Sequence, residues 1–324
     1  MGKPDCSYSF ERSREVTILG APVRVKNYLC SRNGGEYRMK PERAPVQLSI
    51  LPTRLCNARC PFCIAAPTDD PAKIDPDRLE PMLKALAAEG SVRGVTITGG
   101  EPCLDMDLLD RILRMCFDAF GGRLEVTLDT NGSGLQALTR LRDLYRINAI
   151  HISRHHWDDG INDRIFGRKM PAAAELRETL HGIACPGLFV LNCMLLKGFV
   201  ETAEDAHRYM DFAIETGAGK VSFITGSPVN PWIAERVVLF DDVLRDGDPS
   251  ILFTQEFRDF DLCRCRDGVY VSPRGQLMEF YGRQTCQAQC GYCRGLVIGP
   301  DGALRAGFSG EILYPRGGDR LGDP

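Results

Sequence analysis

The chain has 324 residues, 44% of them hydrophobic and 26% charged, with a formal net charge of −3. That is the balance of a globular protein, long enough to bury a barrel-sized core plus an appendage, and it excludes a disordered or fibrous chain. With no Lys/Arg run longer than a pair, no apolar leader core and no stretch of roughly 18 apolar residues, neither nucleic acid nor a membrane is an expected partner, and a cytoplasmic location is expected.

Residues 1–45 form an N-terminal extension in which VTILGAPVRV reads as a hairpin. VQLSIL (46–51) is the first of six apolar, β-branched runs. The others are GVTIT (94–98), LEVTLDT (124–130), AIHIS (149–153), GLFVLNCML (187–195) and KVSFIT (220–225). Amphipathic stretches separate them. Residues 75–90 open with Asp75 as N-cap and Pro76 at the first helical position and close on Gly90, and 105–122 and 201–217 behave alike.

Strands alternating with helices through right-handed crossovers build a parallel sheet. Six such units give an α/β fold, an open (β/α)6 partial TIM barrel over residues 46–245, with its chemistry at the strand C-terminal ends. Beyond it, VYVSPRGQLMEF and GLVIGPDGALRAG each break at a glycine-containing turn, so 246–324 reads as a small C-terminal β-rich module of hairpins.

Fourteen cysteines in a reducing compartment point to metal ligands or catalytic groups, and their clustering supports this. After the first strand, LPTRLCNARCPFC sets Cys56, Cys60 and Cys63 in a C-x3-C-x2-C spacing. Three thiolates leave a structural zinc site one ligand short, but they suit a [4Fe-4S] cube whose remaining iron is open to chelate the amino and carboxylate groups of S-adenosylmethionine (SAM). A zinc knuckle with a distant fourth ligand, or three buried thiols, is the alternative.

The second strand runs into Gly99-Gly100-Glu101-Pro102. With the cysteine spacing, this segment resembles the radical SAM superfamily. The resemblance implies that Gly99, Gly100 and Glu101 hold the SAM amino group, and that SAM is cleaved by one electron to a 5′-deoxyadenosyl radical that abstracts a hydrogen atom. Glycines there also permit close backbone approach. Phe62, Thr130, Ser153 and Asn192 complete the candidate cofactor contacts. Alternation puts His151 and Ser153 on one face of the fourth strand, and Val190, Asn192 and Met194 on one face of the fifth. Polar residues in such apolar strands suggest inward ligand contacts, against which stands a satisfied turn or barrel hydrogen bond.

Arg154, His155 and His156 follow the fourth strand, where Arg and His suit a substrate carboxylate or phosphate and a His can move a proton; a solvated loop would read the same. Cys103, beside the GGE segment, is a candidate hydrogen-atom donor, with packing as its alternative. Cys116, Cys185 and Cys193 lie in apolar contexts that suit a core, and Cys6 and Cys30 carry no assignment.

Cys286, Cys290 and Cys293 repeat the spacing near the C-terminus, preceded by Cys263 and Cys265. This repeat follows no barrel strand, so a second, auxiliary [4Fe-4S] cluster is expected there, with a four-thiolate zinc site from Cys263, Cys265, Cys290 and Cys293 as the alternative. The tail CGYCRGLVIGPDGALRAG, and the segment around Asn192 and Lys197-Gly198, resemble the MoaA-type (twitch/SPASM) enzymes, in which a third auxiliary cysteine occupies the position held here by Gly307. Gly317-Gly318 is followed by six more residues, and Thr225-Gly226-Ser227 lacks an acidic residue. These departures imply a relative with a different substrate.

The expected activity is radical chemistry on a small molecule such as a sugar, nucleoside or similar biosynthetic compound. The auxiliary cluster would bind substrate, carry an electron or surrender sulfur, and flavodoxin or ferredoxin would be the reductant. A peptide-modifying maturase and a non-catalytic zinc or iron–sulfur protein are the alternatives.

Overall fold

The computed structural model describes residues 13–26, 29–31, 37–39, 46–63, 68–226, 228–243, 252–253, 268–271, 277–281, 295–308, 310 and 312–314. Two small hairpins come first: β1 (Ser13–Ile18) with β2 (Ala21–Lys26), and β3 (Leu29–Ser31) with β4 (Tyr37–Met39). Six strands follow: β5 (Val46–Ile50), β6 (Val92–Ile97), β7 (Glu125–Thr130), β8 (Ala149–Ser153), β9 (Phe189–Leu195) and β10 (Lys220–Thr225). They pair in sequence order and in parallel, as the six apolar runs predict.

The helices are α1 (Pro76–Glu89), α2 (Met106–Phe120), α3 (Asp159–Phe166), α4 (Ala173–Ile183), α5 (Ala203–Thr216), α6 (Pro231–Ala234) and α7 (Phe240–Val243). In α1 the Asp75 side chain accepts from Asp77 N–H, and Gly90 takes the left-handed cap at φ 69°. Leu79, Leu83 and Leu86 of α1 and Leu109, Ile112 and Leu113 of α2 are buried in one continuous core with Leu48, Val95, Ile97, Val126 and Leu128 of the sheet. The connection from β7 to β8 has no α-helix. Two short 3-10 turns, Leu135–Arg140 and Leu144–Arg146, bury Leu135, Leu138 and Leu144 instead.

The C-terminal strands do not stand apart. β12 (Gly268–Val271) and β13 (Leu277–Tyr281) form one predicted hairpin, β14 (Gly295–Ile298) and β15 (Leu304–Arg305) the other. β13 adds in parallel beside β10, and β14 in parallel beside β5. β11 (Leu252–Phe253) and β16 (Ile312–Tyr314) end the sheet on either side, so it remains open. The physical reason is edge pairing: an open barrel leaves two rows of unpaired N–H and C=O groups, and the tail covers both. The connection from one flank to the other carries Cys286, Cys290 and Cys293. With Cys263, Cys265 and Cys6, these lie outside the described residues.

Candidate functional site: three loops at the mouth of the barrel

Beyond β5 the chain runs along the GGE segment. Gly100 N–H donates to Thr53 O and Glu101 N–H to Leu55 O, both at 2.9 Å. A Cβ on Gly99 would lie 2.8 Å from Thr53 O, and one on Gly100 only 2.1 Å from Leu55 O. The glycines are therefore required first by the cysteine loop's own backbone.

Cys56, Cys60 and Cys63 are partly exposed, and none is in a disulfide. Cys63 N–H donates to Cys60 O at 3.1 Å, closing the turn through Pro61-Phe62. Burial and then the neighbouring Cys63 and Cys56 push the Cys60 thiol up to about 12, and burial raises Cys56 as well. Cys63 thus lies near enough to Cys56 and Cys60 to oppose their ionisation. Among the described residues, no three His, Cys, Asp or Glu side chains are gathered around a point as a single zinc ion would need. Phe62 packs edge-on to His155, with ring centroids 5.0 Å apart, and against Trp232.

Glu101 is fully buried. Its Oε1 accepts from Cys103 N–H at 2.9 Å and the Thr130 hydroxyl at 2.7 Å, and its Oε2 from Asn131 N–H at 2.6 Å. Burial pushes the carboxyl pKa up, against three donated hydrogen bonds that favour the carboxylate. The Asn131 side chain reaches on to the cysteine loop, donating to Asn57 Oδ1 at 2.7 Å and Cys56 Sγ at 3.7 Å. One clamp therefore joins the loops after β5, β6 and β7.

The strand faces turned into the barrel are polar. Gln47 Nε2 donates to Thr96 Oγ1 at 2.8 Å. Asp129 pairs with His151 across β7 and β8, with His151 Nδ1 3.3 Å from Asp129 Oδ1. Ser153, Asn192 and Ser222 form one cross-strand row. Asn192 Oδ1 is buried with no hydrogen-bond partner in the protein. Asn162 Nδ2 is in the same condition, and Asn162 lines a shallow cleft with Asn131, Gly132, Ser153 and Met170.

Several predicted contacts are placed elsewhere. Thr130 was expected to face the cofactor, but alternation along β7 turns Asp129 inward and Thr130 toward Glu101. Cys103 is buried behind the site, where a Cβ on Gly134 would meet its Cβ at 2.5 Å, and its thiol lies against Glu101 and Thr130 rather than facing a substrate radical.

Arg154, His155 and His156 are not a substrate loop, being only 3%, 4% and 4% exposed. The Arg154 guanidinium donates to His156 O and Pro171 O, both at 2.9 Å, and to Trp157 O, and it pairs with Asp159. His155 Nδ1 accepts from Met194 N–H at 3.2 Å and its ring stacks on Phe166; burial, then Arg154, lowers its pKa to about 3. His156 Nδ1 accepts from Asp158 N–H at 2.9 Å. With the Arg154 guanidinium and one ring nitrogen of each histidine so engaged, these side chains pack beneath Phe62 and α3. Cys116 and Cys193 are buried core residues and Cys185 packs against the core, as expected.

The Asp129–His151 pair escaped notice in the sequence, although the inward parity of His151 was legible. Asn131 and Asn162 lie in an Asn-Gly turn and on a helix, and carried no signal of their own.

Comparison with known proteins agrees with this geometry. Residues 50–228 match the family described as the Radical SAM superfamily. Among curated relatives, a probable GTP 3′,8-cyclase of Sulfurisphaera tokodaii is 30% identical over 190 residues, 58% of each chain. The GTP 3′,8-cyclase of Mycolicibacterium smegmatis is 31% identical over 228 residues, 67% of this chain and 60% of that one. The chain thus spans roughly three fifths of the length of these relatives. Among solved structures, Streptococcus suis SuiB bound to S-adenosylmethionine superimposes with a TM-score of 0.53 at 17% identity, over 83% of this chain and 63% of SuiB, a likeness of fold. A cysteine triad and a glycine-cradled loop at the mouth of a parallel barrel accordingly mark an enzyme that uses a [4Fe-4S] cluster and SAM, and the chain belongs to the radical SAM superfamily.

Proposed function

We propose that this enzyme cleaves SAM with one electron from a cluster held by Cys56, Cys60 and Cys63, and abstracts a hydrogen atom from a small polar molecule in the barrel lumen. A sugar, a nucleoside or a similar biosynthetic compound fits that description. The observation that carries the reading is the clamp through Glu101 and Asn131, which joins the thiol loop to the glycine segment directly above a polar lumen.

The residues present fit both groups. Three cysteines on one short loop, closed by the bond from Cys63 N–H to Cys60 O, suit a four-iron cube with one open iron. Asn192 Oδ1 and Asn162 Nδ2, an acceptor and a donor buried without partners, suit a polar ligand such as SAM, because such atoms are costly to leave unpaired. Bound there, the pair supplies the electron and the carbon radical that the protein's own groups cannot. Gly99 and Gly100 present backbone, Phe62 a ring face, and Ser153 and Asn192 polar side chains. Deeper in the lumen, Asp129 holds one nitrogen of His151, so that the other can give a proton to a substrate hydroxyl or take one from it.

Support for a small-molecule substrate comes from the relatives, whose names assign them GTP. Gly307, in place of the family's third auxiliary cysteine, supports a different substrate. We further propose that Cys263, Cys265, Cys286, Cys290 and Cys293 supply a second [4Fe-4S] cluster, which binds substrate, carries an electron or donates sulfur. Flavodoxin or ferredoxin would serve as the reductant.

Anaerobic loading with iron and sulfide, followed by dithionite and SAM with GTP and other nucleosides as first probes, should yield 5′-deoxyadenosine. None with any probe would sink the assignment. Iron should approach about eight atoms per chain, and about half of that after joint Cys56→Ala, Cys60→Ala and Cys63→Ala substitution. A triple variant retaining none would contradict two independent clusters.

A further inference from the structure

We infer that Asn131 is a positioning residue whose side-chain amide, an N–H donor to the Cys56 sulfur, sets the reduction potential of the SAM-binding cluster; the inference rests on Cys56 being a ligand of that cluster. The two residues are 75 positions apart. Three further hydrogen bonds leave the amide one orientation. Its Oδ1 accepts from Ser133 N–H at 2.9 Å, so its Nδ2 must face Asn57 and Cys56. Asn57 in turn donates through Nδ2 to Ser133 Oγ at 2.8 Å, which forces its Oδ1 toward Asn131. Neither amide can flip without facing donor to donor. The backbone of Asn131 is pinned as well, by the 2.6 Å bond from its N–H to Glu101 Oε2.

An arrangement this constrained does more than close a turn. A donor aimed at a ligating sulfur stabilises the more negative, reduced state of an iron–sulfur cluster and so raises its potential. Cys56 already accepts one such bond, at 3.4 Å, from Ala58 N–H within its own loop. The Asn131 amide adds a donor from the β7 end, and Glu101 ties that donor to the GGE segment. A ligand seated on Gly99 and Gly100 therefore acts on a structure one hydrogen bond away from the cluster sulfur.

The test is potentiometry on anaerobically loaded wild type, Asn131→Leu and Asn131→Asp, following the reduced electron paramagnetic resonance signal that responds to SAM and so belongs to this cluster. Dithionite supplies the single electron. With iron content equal to wild type, the midpoint should move negative in Asn131→Leu and further in Asn131→Asp, whose carboxylate keeps the bond from Ser133 but places charge beside sulfur. Midpoints equal to wild type would overturn the inference. If wild type itself gives no SAM-responsive signal, the cluster assignment fails instead.

A second measurement reads the donor nitrogen directly, and its wild-type arm needs no variant to load iron. In wild type carrying asparagine labelled with 15N at the side-chain amide, pulsed resonance of the reduced cluster should show a coupled nitrogen. Its absence from wild type, or its persistence in Asn131→Asp, would overturn the assignment.

Discussion

Replacing Glu101 with glutamine changes one atom at the centre of the clamp. The carboxylate accepts three hydrogen bonds in a site without solvent, two on Oε1 and one, from Asn131, on Oε2. A glutamine keeps the two bonds on Oε1 only by placing its NH2 where Oε2 stands, where it meets the Asn131 N–H donor to donor. Two buried donors then lack acceptors, at about 1–3 kcal/mol each, while the desolvation cost of a buried charge is relieved. The net expectation is a loss of about 2–4 kcal/mol. Thr130→Val removes the hydroxyl donor to Glu101 and the acceptor of Gly132 N–H, and should cost about 1–3 kcal/mol. Urea unfolding of the metal-free proteins, compared at equal slope, measures both. A Glu101→Gln midpoint indistinguishable from wild type would refute the clamp. The same variant should also weaken SAM binding to the loaded enzyme, because Asn131 and the glycine segment lose their common anchor.

Gly100→Ala would place a Cβ 2.1 Å from the Leu55 carbonyl oxygen, so it should destabilise by about 3 kcal/mol, against about 1 kcal/mol for Gly90→Ala, where the left-handed conformation is the sole obstacle. Equal costs in thermal unfolding would count against the close approach of the two loops. His155 stays neutral in the native protein down to about pH 3, whereas in the unfolded chain it takes up a proton below about 6.5. Its contribution is complete above pH 6.5 and is lost as pH falls toward 3, about 3 kcal/mol of it by pH 4.5. The stability gap between wild type and His155→Phe should narrow by that amount between pH 7.5 and 4.5, and a constant gap would refute it. Cys56 and Cys60, whose thiols burial raises, must surrender protons to iron, so cluster retention against a chelator should strengthen between pH 7 and 8 by up to about tenfold per thiol. Retention independent of pH would mean that the thiols are already ionised.

The cysteine triad, the GGE segment, the helix caps and the two C-terminal hairpins were legible in the sequence because each is fixed by spacing over a few residues. Asp75 and Gly90 bound α1 through chemistry confined to its own ends. Parity along β8 and β9 likewise put His151 with Ser153 on one face and Asn192 with Val190 and Met194 on another, while the pairing of Ser153 with Asn192 came from the register. The site's remaining features depend on what lies across the sheet. Thr130 and Asp129 exchange roles through a one-residue step in strand parity, which only the pairing with β8 settles. Arg154, His155 and His156 look like a ligand loop until α3 and β9 close over them, pairing Arg154 with Asp159 and one ring nitrogen of His155 with Met194 N–H. Glu101, Asn131 and Cys56 belong to three separate loops, so neither their clamp nor the reason for two glycines could be read from any one segment. Short-range spacing determined which chemistry this chain carries. Strand register, which brings residues tens of positions apart within hydrogen-bond reach, decided which groups face the lumen and which hold the site in place.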